Sequence, residues 1–160
     1  MAISVGDQIP NVKVMLAGEK GPQEAQTGDL LGGGKVALFS VPGAYTPTCS
    51  AKHLPGFVEQ ADALRAKGVD KIVCMSVNDA FVMDSWGRDQ GAAGKVEMLA
   101  DGNGEFARAL GLTMDATGFG MGERAQRFSA VIENGVVREL NVEAPGAFEV
   151  SSAEYMINQL

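Results

Sequence analysis

The order of segments along this 160-residue chain predicts an α/β fold with a mixed central sheet flanked by helices on both faces. Three observations carry that expectation. Two short apolar runs, KVALFSV at 35–41 and KIVCMSV at 71–77, have the composition of buried strands. Each is followed by residues at helical spacing. Near the C-terminus two alternating segments meet at Asn134-Gly135, a strong signal for a two-residue hairpin.

Taken in order, the first thirty residues hold one alternating segment, Val12-Lys13-Val14-Met15, followed by polar, glycine-rich sequence that reads as loop. Gly32-Gly33-Gly34 leads into the strand at 35–41, and Pro42-Gly43 ends it. After a proline-punctuated loop, helical spacing starts near Cys49 and runs through Phe57, Val58, Ala61 and Leu64 to a stop at Gly68. Pro55 within that stretch predicts a kink or a restart, because its ring displaces a helical hydrogen bond. After the strand at 71–77, Asn78 or Asp79 can cap a helix over 80–90. A third strand is expected at 96–100, and a short helix over 101–110 stops at Gly111. Residues 115–123 are glycine-rich and read as irregular. Strands at 127–133 and 136–143 form the hairpin, and Ser151-Ser152-Ala153-Glu154 has the spacing of a capping box that opens a last helix. A βαβ unit, an inserted strand and helix, then ββα make up the thioredoxin-like plan, with an insertion and an N-terminal extension in one domain over 1–160.

Composition narrows the function classes. The formal charge of −7, with no Lys/Arg cluster to offset it, argues against nucleic acid and anionic membrane, which both reward a basic patch. The N-terminal residues lack a basic segment and an apolar run of signal length, and stretches such as 36–39 are too short to cross a bilayer. The two cysteines, Cys49 and Cys74, allow one disulfide at most, so a reducing compartment, the cytosol, is expected. No cluster of His, Cys and acidic residues has metal-ligand spacing, and Gly118–Gly122 lacks the Lys-Ser/Thr ending of a phosphate loop. Neither a metal nor another cofactor is expected.

The chemistry concentrates in Val41-Pro42-Gly43-Ala44-Tyr45-Thr46-Pro47-Thr48-Cys49-Ser50. Cys49 falls where a strand has ended and a helix begins, and unpaired amides with the positive end of the helix dipole favour a thiolate there. Thr46 can turn a hydroxyl toward the same space, and Pro42 and Pro47 hold the loop and restrict water. An inert buried cysteine is the competing reading of Cys49 by itself.

Pro42, Thr46 and Cys49 match the Pro-x-x-x-Thr-x-x-Cys signature, and the segment resembles that of the peroxiredoxins. Ser50–Phe57 (SAKHLPGF), Asp84-Ser85-Trp86-Gly87, Leu99-Ala100-Asp101-Gly102 and Arg127-Phe128-Ser129 extend the resemblance over the whole chain, toward the type-five (atypical) subfamily in particular. The resemblance implies a thioredoxin-like fold and thiol peroxidase activity on hydrogen peroxide, alkyl hydroperoxides and peroxynitrite. It gives Cys49 the role of nucleophile, with Thr46 hydrogen-bonding the peroxide. A cation beside the sulfur lowers its pKa and stabilises charge spreading over both oxygens. Arg127 corresponds to that cation. Arg124 competes for the role, and Arg127 is favoured because it opens the strand expected beside the Cys49 loop.

His53 lies four residues after Cys49 and could share its helical face. A packed or solvent-facing helix residue is the stronger reading, and a direct catalytic role the weaker. Cys74 reads as a small core residue in a strand. Relatives with an internal disulfide carry a resolving cysteine near the C-terminal helix, where this chain has Ser151-Ser152. That departure points to a one-cysteine cycle recycled by glutathione and glutaredoxin, with thioredoxin as the other candidate reductant. Subfamily resemblance also suggests a homodimer with contacts around Tyr45, Trp86 and Met121. A thiol transferase and a non-enzymatic peroxide sensor are the alternative readings.

Overall fold

In the computed structural model, which describes residues 2–18 and 20–160, the apolar runs become the middle of a seven-stranded sheet. In chain order the elements are β1 (Lys13–Leu16), β2 (Gln23–Gln26), α1 (Thr27–Leu30), β3 (Lys35–Ser40), a helical stretch from residue 47 whose Cys49–His53 portion is wound as π-helix, and α2 (Leu54–Glu59). They continue with α3 (Ala61–Ala66), β4 (Lys71–Ser76), α4 (Ala80–Asp89), β5 (Glu97–Ala100), α5 (Glu105–Leu110), β6 (Thr113–Asp115), a 3₁₀ turn at Thr117–Phe119, β7 (Glu123–Ala125), β8 (Phe128–Glu133), β9 (Val136–Val142) and α6 (Ala153–Gln159).

The sheet order is β2-β1-β5-β4-β3-β8-β9. β3, β4 and β5 run parallel, and β1, β8 and β9 pair antiparallel, so the sheet is mixed. β3 and β4 are central and covered on both faces, which explains why neither alternates with polar residues. Ala37 and Phe39 of β3 point into one core with Cys49, Phe57, Leu64 and Trp86; Val36 and Leu38 point into the other with Met75, Phe106 and Phe128. Residues of α2, α3, α4 and α6 line the first core and residues of α5 the second. This is the expected thioredoxin-like arrangement.

The local signals hold in most places. Asn134 and Gly135 both take the left-handed conformation, with φ of 51° and 83°, as a two-residue hairpin turn matching strand twist requires. Asp79, not Asn78, caps α4 by accepting from the Val82 amide. At Pro55 the helix restarts: the Leu54 amide bonds the Cys49 carbonyl in π fashion, and Pro55 falls in the first turn of α2, where its missing N–H costs nothing.

Four expectations need correction. The loop after β1 contains β2 and α1. β2 (Gln23–Gln26) is polar and bonded only to β1, so no hydrophobic alternation marks it. The stretch at 115–123 is not wholly irregular, because its ends pair as β6 and β7 in a separate two-stranded sheet. The short helix begins at Glu105 rather than 101, since the buried Asp101 carboxylate turns back to accept from the Phe106 and Ala107 amides. Finally, Ser152 rather than Ser151 caps α6, accepting from Tyr155; the Ser151 hydroxyl is buried and donates to Glu143.

Candidate active site

β3 ends beneath a loop that several groups hold in place. Gly43 permits its packing: a Cβ there would sit 2.9 Å from Met121 Cε and 3.1 Å from Thr46 Cγ2. The Thr46 hydroxyl donates to the Gly43 carbonyl at 2.7 Å, and Asn78 accepts from the Ala44 amide at 3.0 Å. Tyr45 takes a positive φ of 65°, a conformation strained for a side chain of this size. Its hydroxyl lies 2.6 Å from Ser85 Oγ and donates to Asp89 at 2.9 Å, which ties the loop to α4. Pro47 then opens the helix, a position that needs no N–H donor.

Cys49 sits in the first turns of that helix, fully buried. Arg127, immediately before β8, reaches it from the strand next to β3: Nη2 donates to Cys49 Sγ at 2.9 Å. The other arm of the fork, Nη1, donates to His53 Nδ1 at 2.8 Å. Because arginine can only donate, Nδ1 must be the unprotonated ring nitrogen, so Nε2–H donates to the Ser151 carbonyl at 2.8 Å. Burial, reinforced by the Arg127 charge, lowers the His53 pKa to about 3, so the ring is neutral near neutral pH. The Ser151 carbonyl is placed in turn by Glu143, whose carboxylate accepts from the Glu149, Val150 and Ser151 amides and from the Ser151 hydroxyl. Burial pushes Glu143 upward, but these donors outweigh it and hold the carboxyl below its ordinary range.

This arrangement can stabilise a thiolate and the charge that develops on an oxygen approaching it. The chain matches the Redoxin family model over residues 4–157. It is 48% identical to "Peroxiredoxin-2E, chloroplastic" of Arabidopsis thaliana, over 99% of this chain and 70% of that protein, and 45% identical to Peroxiredoxin-2B of the same plant, over 99% and 98%. The chain is a peroxiredoxin. Among solved structures, reduced Prx3 of Vibrio vulnificus in complex with H2O2 superposes with a TM-score of 0.94 at 51% identity, covering 98% of each chain. The peroxiredoxin is accordingly a thiol-dependent peroxidase, an oxidoreductase.

The residues singled out in the sequence fall in different places. Cys49 and Arg127 meet at 2.9 Å, Pro42 shares a cavity wall with Arg127, and Thr46 lies in the loop leading to Cys49, bonded to Gly43. Arg124 is committed elsewhere, donating to the Met121 and Val77 carbonyls at 2.8 Å each, and so braces the loop rather than the sulfur. Pro47 is exposed. Trp86 cannot be a subunit contact: it is fully buried, and its indole N–H donates to Ser50 Oγ at 3.0 Å. Tyr45 is 49% exposed and Met121 partly so.

Cys74 lies mid-strand in β4, in register with Phe39 and Met98. Burial pushes its thiol well above the ordinary value; Cys49 adds to the effect and Arg127 opposes it. Both cysteines are free thiols. Beside Arg127 opens a cavity of about 540 Å³ with largely apolar walls, including Pro42, Thr48, Met114, Phe119 and Pro145. Sequence reasoning missed His53 and Glu143 as parts of this site. The spacing from Cys49 to His53 was the only signal, and it does not reveal partners 74 and 98 residues away.

Proposed function

We propose that Cys49 is the nucleophile that reduces hydrogen peroxide and organic hydroperoxides, in a one-cysteine cycle of the type-five subfamily closed by glutathione and glutaredoxin. The observation that carries this reading is the single charged donor on the sulfur, Arg127 Nη2 at 2.9 Å. The thiolate attacks one peroxide oxygen, an S–O bond forms and the O–O bond breaks. Hydroxide or alkoxide departs and takes up a proton, leaving Cys49 as sulfenic acid. Arg127 offsets charge on sulfur and on the reacting oxygens. Thr46 spends its proton on Gly43, so its oxygen is free to accept from the peroxide O–H. Pro42 walls the approach, and the apolar cavity beside Arg127 suits an alkyl or aryl tail. The Vibrio vulnificus relative, solved in complex with H2O2, fits the same substrate class.

The placement of Cys74 supports the one-cysteine cycle: it is held in a central strand paired on both sides, and the sequence has no cysteine after it. In this reading a glutathione thiolate attacks the sulfenic sulfur, expels water and forms a mixed disulfide that glutaredoxin reduces. The half-exposed Tyr45 and partly exposed Met121 beside the loop support a homodimer through this face.

The test has two arms. Cys49→Ser should abolish peroxide turnover while the fold persists, and turnover by that folded variant would refute the assignment. Peroxide-treated protein with glutathione should carry one adduct, on Cys49, by mass spectrometry, and Cys74→Ser should retain activity. A Cys49–Cys74 disulfide as major product, with activity lost in Cys74→Ser, would refute the one-cysteine cycle alone.

A further inference from the structure

The turn that carries Thr46 is built on an unfavourable residue. It is closed by the Thr46 amide, which donates to the Gly43 carbonyl at 3.3 Å, and of its four residues only Tyr45, the third, has a positive φ, of 65°. That is the pattern of a type II turn, which favours glycine or asparagine at the third position because a larger side chain is strained there. Contacts outside the turn must therefore hold Tyr45. Its hydroxyl has one proton and gives it to Asp89 at 2.9 Å, so the Ser85 hydroxyl, 2.6 Å away, donates to the tyrosine oxygen. Ser85 and Asp89 are four residues apart on α4 and share one face of it. The same helix reaches the far side of Cys49, where Trp86 Nε1 donates to Ser50 Oγ at 3.0 Å. Helix α4 thus brackets the sulfur-bearing segment, at residue 45 before it and residue 50 after it.

We propose that Tyr45 is a positioning residue for the peroxidase reaction: the hydrogen-bond relay Ser85–Tyr45–Asp89 pins the strained turn and so fixes the Thr46 hydroxyl for the incoming peroxide. The inference rests on the reading of Cys49 as nucleophile and Thr46 as peroxide acceptor, and goes beyond it by assigning what holds Thr46. Thr46 adjoins Tyr45, and its Oγ1 donates to the Gly43 carbonyl at 2.7 Å, so both ends of that bond belong to the turn. When residue 45 swings back toward negative φ, the Gly43 carbonyl and the Thr46 hydroxyl turn with it, and the oxygen loses its aim. Tyr45 is half-exposed and Asp89 exposed, so water competes for these bonds and the effect is graded rather than absolute.

Substitutions along the relay separate anchoring from folding. Tyr45→Phe keeps the ring and the strain but removes the hydroxyl. Its second-order rate with hydrogen peroxide should fall about fivefold, the scale of one net hydrogen bond, with the urea midpoint little changed. Asp89→Ala should lose as much, whereas Asp89→Asn retains an acceptor oxygen and should keep most of the rate. Tyr45→Gly removes anchor and strain together and should retain more of the rate than Tyr45→Phe. In the Thr46→Val background the hydroxyl to be positioned is gone, so Tyr45→Phe should cost little more. A folded Tyr45→Phe with the native rate would overturn the proposal, as would full additivity with Thr46→Val or equal losses in Asp89→Asn and Asp89→Ala. Hydrogen exchange at the Ala44 and Thr46 amides reads the anchoring without the chemistry. Exchange there should quicken in Tyr45→Phe, in a Cys49→Ser background as well, and unchanged exchange would overturn the anchoring. A failure of Cys49 as nucleophile would show instead as turnover by folded Cys49→Ser, so the two readings fall separately.

Discussion

At the scale of single residues, the two arginines of the segment 124–127 are separated by what they hold. Arg127 donates to the sulfur, whereas Arg124 donates to two backbone carbonyls that frame the loop. Arg127→Gln should therefore slow peroxide attack by about a hundredfold, the scale of one lost transition-state donor. Arg124→Gln should act only through the loop and cost much less. Stopped-flow kinetics of both variants check the assignment, and the reverse pattern would invert it. Cys49 and Arg127 were legible in the sequence because a strand-to-helix junction and a strand start are local features. His53 was not, because its chemistry comes from Arg127 and the Ser151 carbonyl, which only the folded sheet and the 149–151 segment bring to it.

At the scale of elements, the segment joining β9 to α6 is organised by one carboxylate. Glu143 accepts from three consecutive amides and a hydroxyl, so its replacement by glutamine removes an acceptor oxygen and points an NH2 at donors. Glu143→Gln should cost about 1–3 kcal/mol, the range for leaving a buried donor unpaired. A lower urea midpoint with an unchanged m-value would show it. Peroxide kinetics should weaken with it, since the same residues carry the Ser151 carbonyl that holds His53. The capping signal in this region was legible only in outline. Ser151 and Ser152 offer equivalent hydroxyls, and burial beside Glu143 takes Ser151 out of the capping role. β2, α1, β6 and β7 were hidden for a different reason: at three or four residues each they are too short to display a period.

For the whole molecule, the buried neutral ring makes stability depend on pH. His53 has a folded pKa of about 3 against an ordinary 6.5, so below pH 6.5 the unfolded chain binds a proton that the native state refuses. Stability from this group is complete above that value and falls as pH drops, by at most about 1.4 kcal/mol per pH unit. Glu143, held low, adds a loss in the same direction at more acid pH, while Asp101, raised by burial, works against both. Because the chain has one histidine, the interval just below 6.5 belongs mainly to it. Urea midpoints should fall between pH 7 and pH 5 in the native protein and stay nearly level in His53→Asn; a level profile in both would contradict a buried neutral ring. At this scale the order of the main-sheet strands and the helices from β3 onward was legible, because βαβ and ββα units leave few topologies open, while the small β6–β7 sheet was not. The N-terminal hairpin was not: β1 joins the sheet beyond β5, a strand far downstream, through backbone pairing that no side-chain pattern announces.

The chain's one tryptophan is shielded from solvent and bonded through its indole N–H to Ser50, the neighbour of Cys49. The protein thus contains its own optical reporter, placed one residue from the sulfur. Any rewinding of the helical turn at 49–53 would disturb that bond. Intrinsic emission therefore gives the movement of the turn a signal of its own, distinct from the disappearance of peroxide, so that opening and chemistry can be timed separately in an unlabelled molecule.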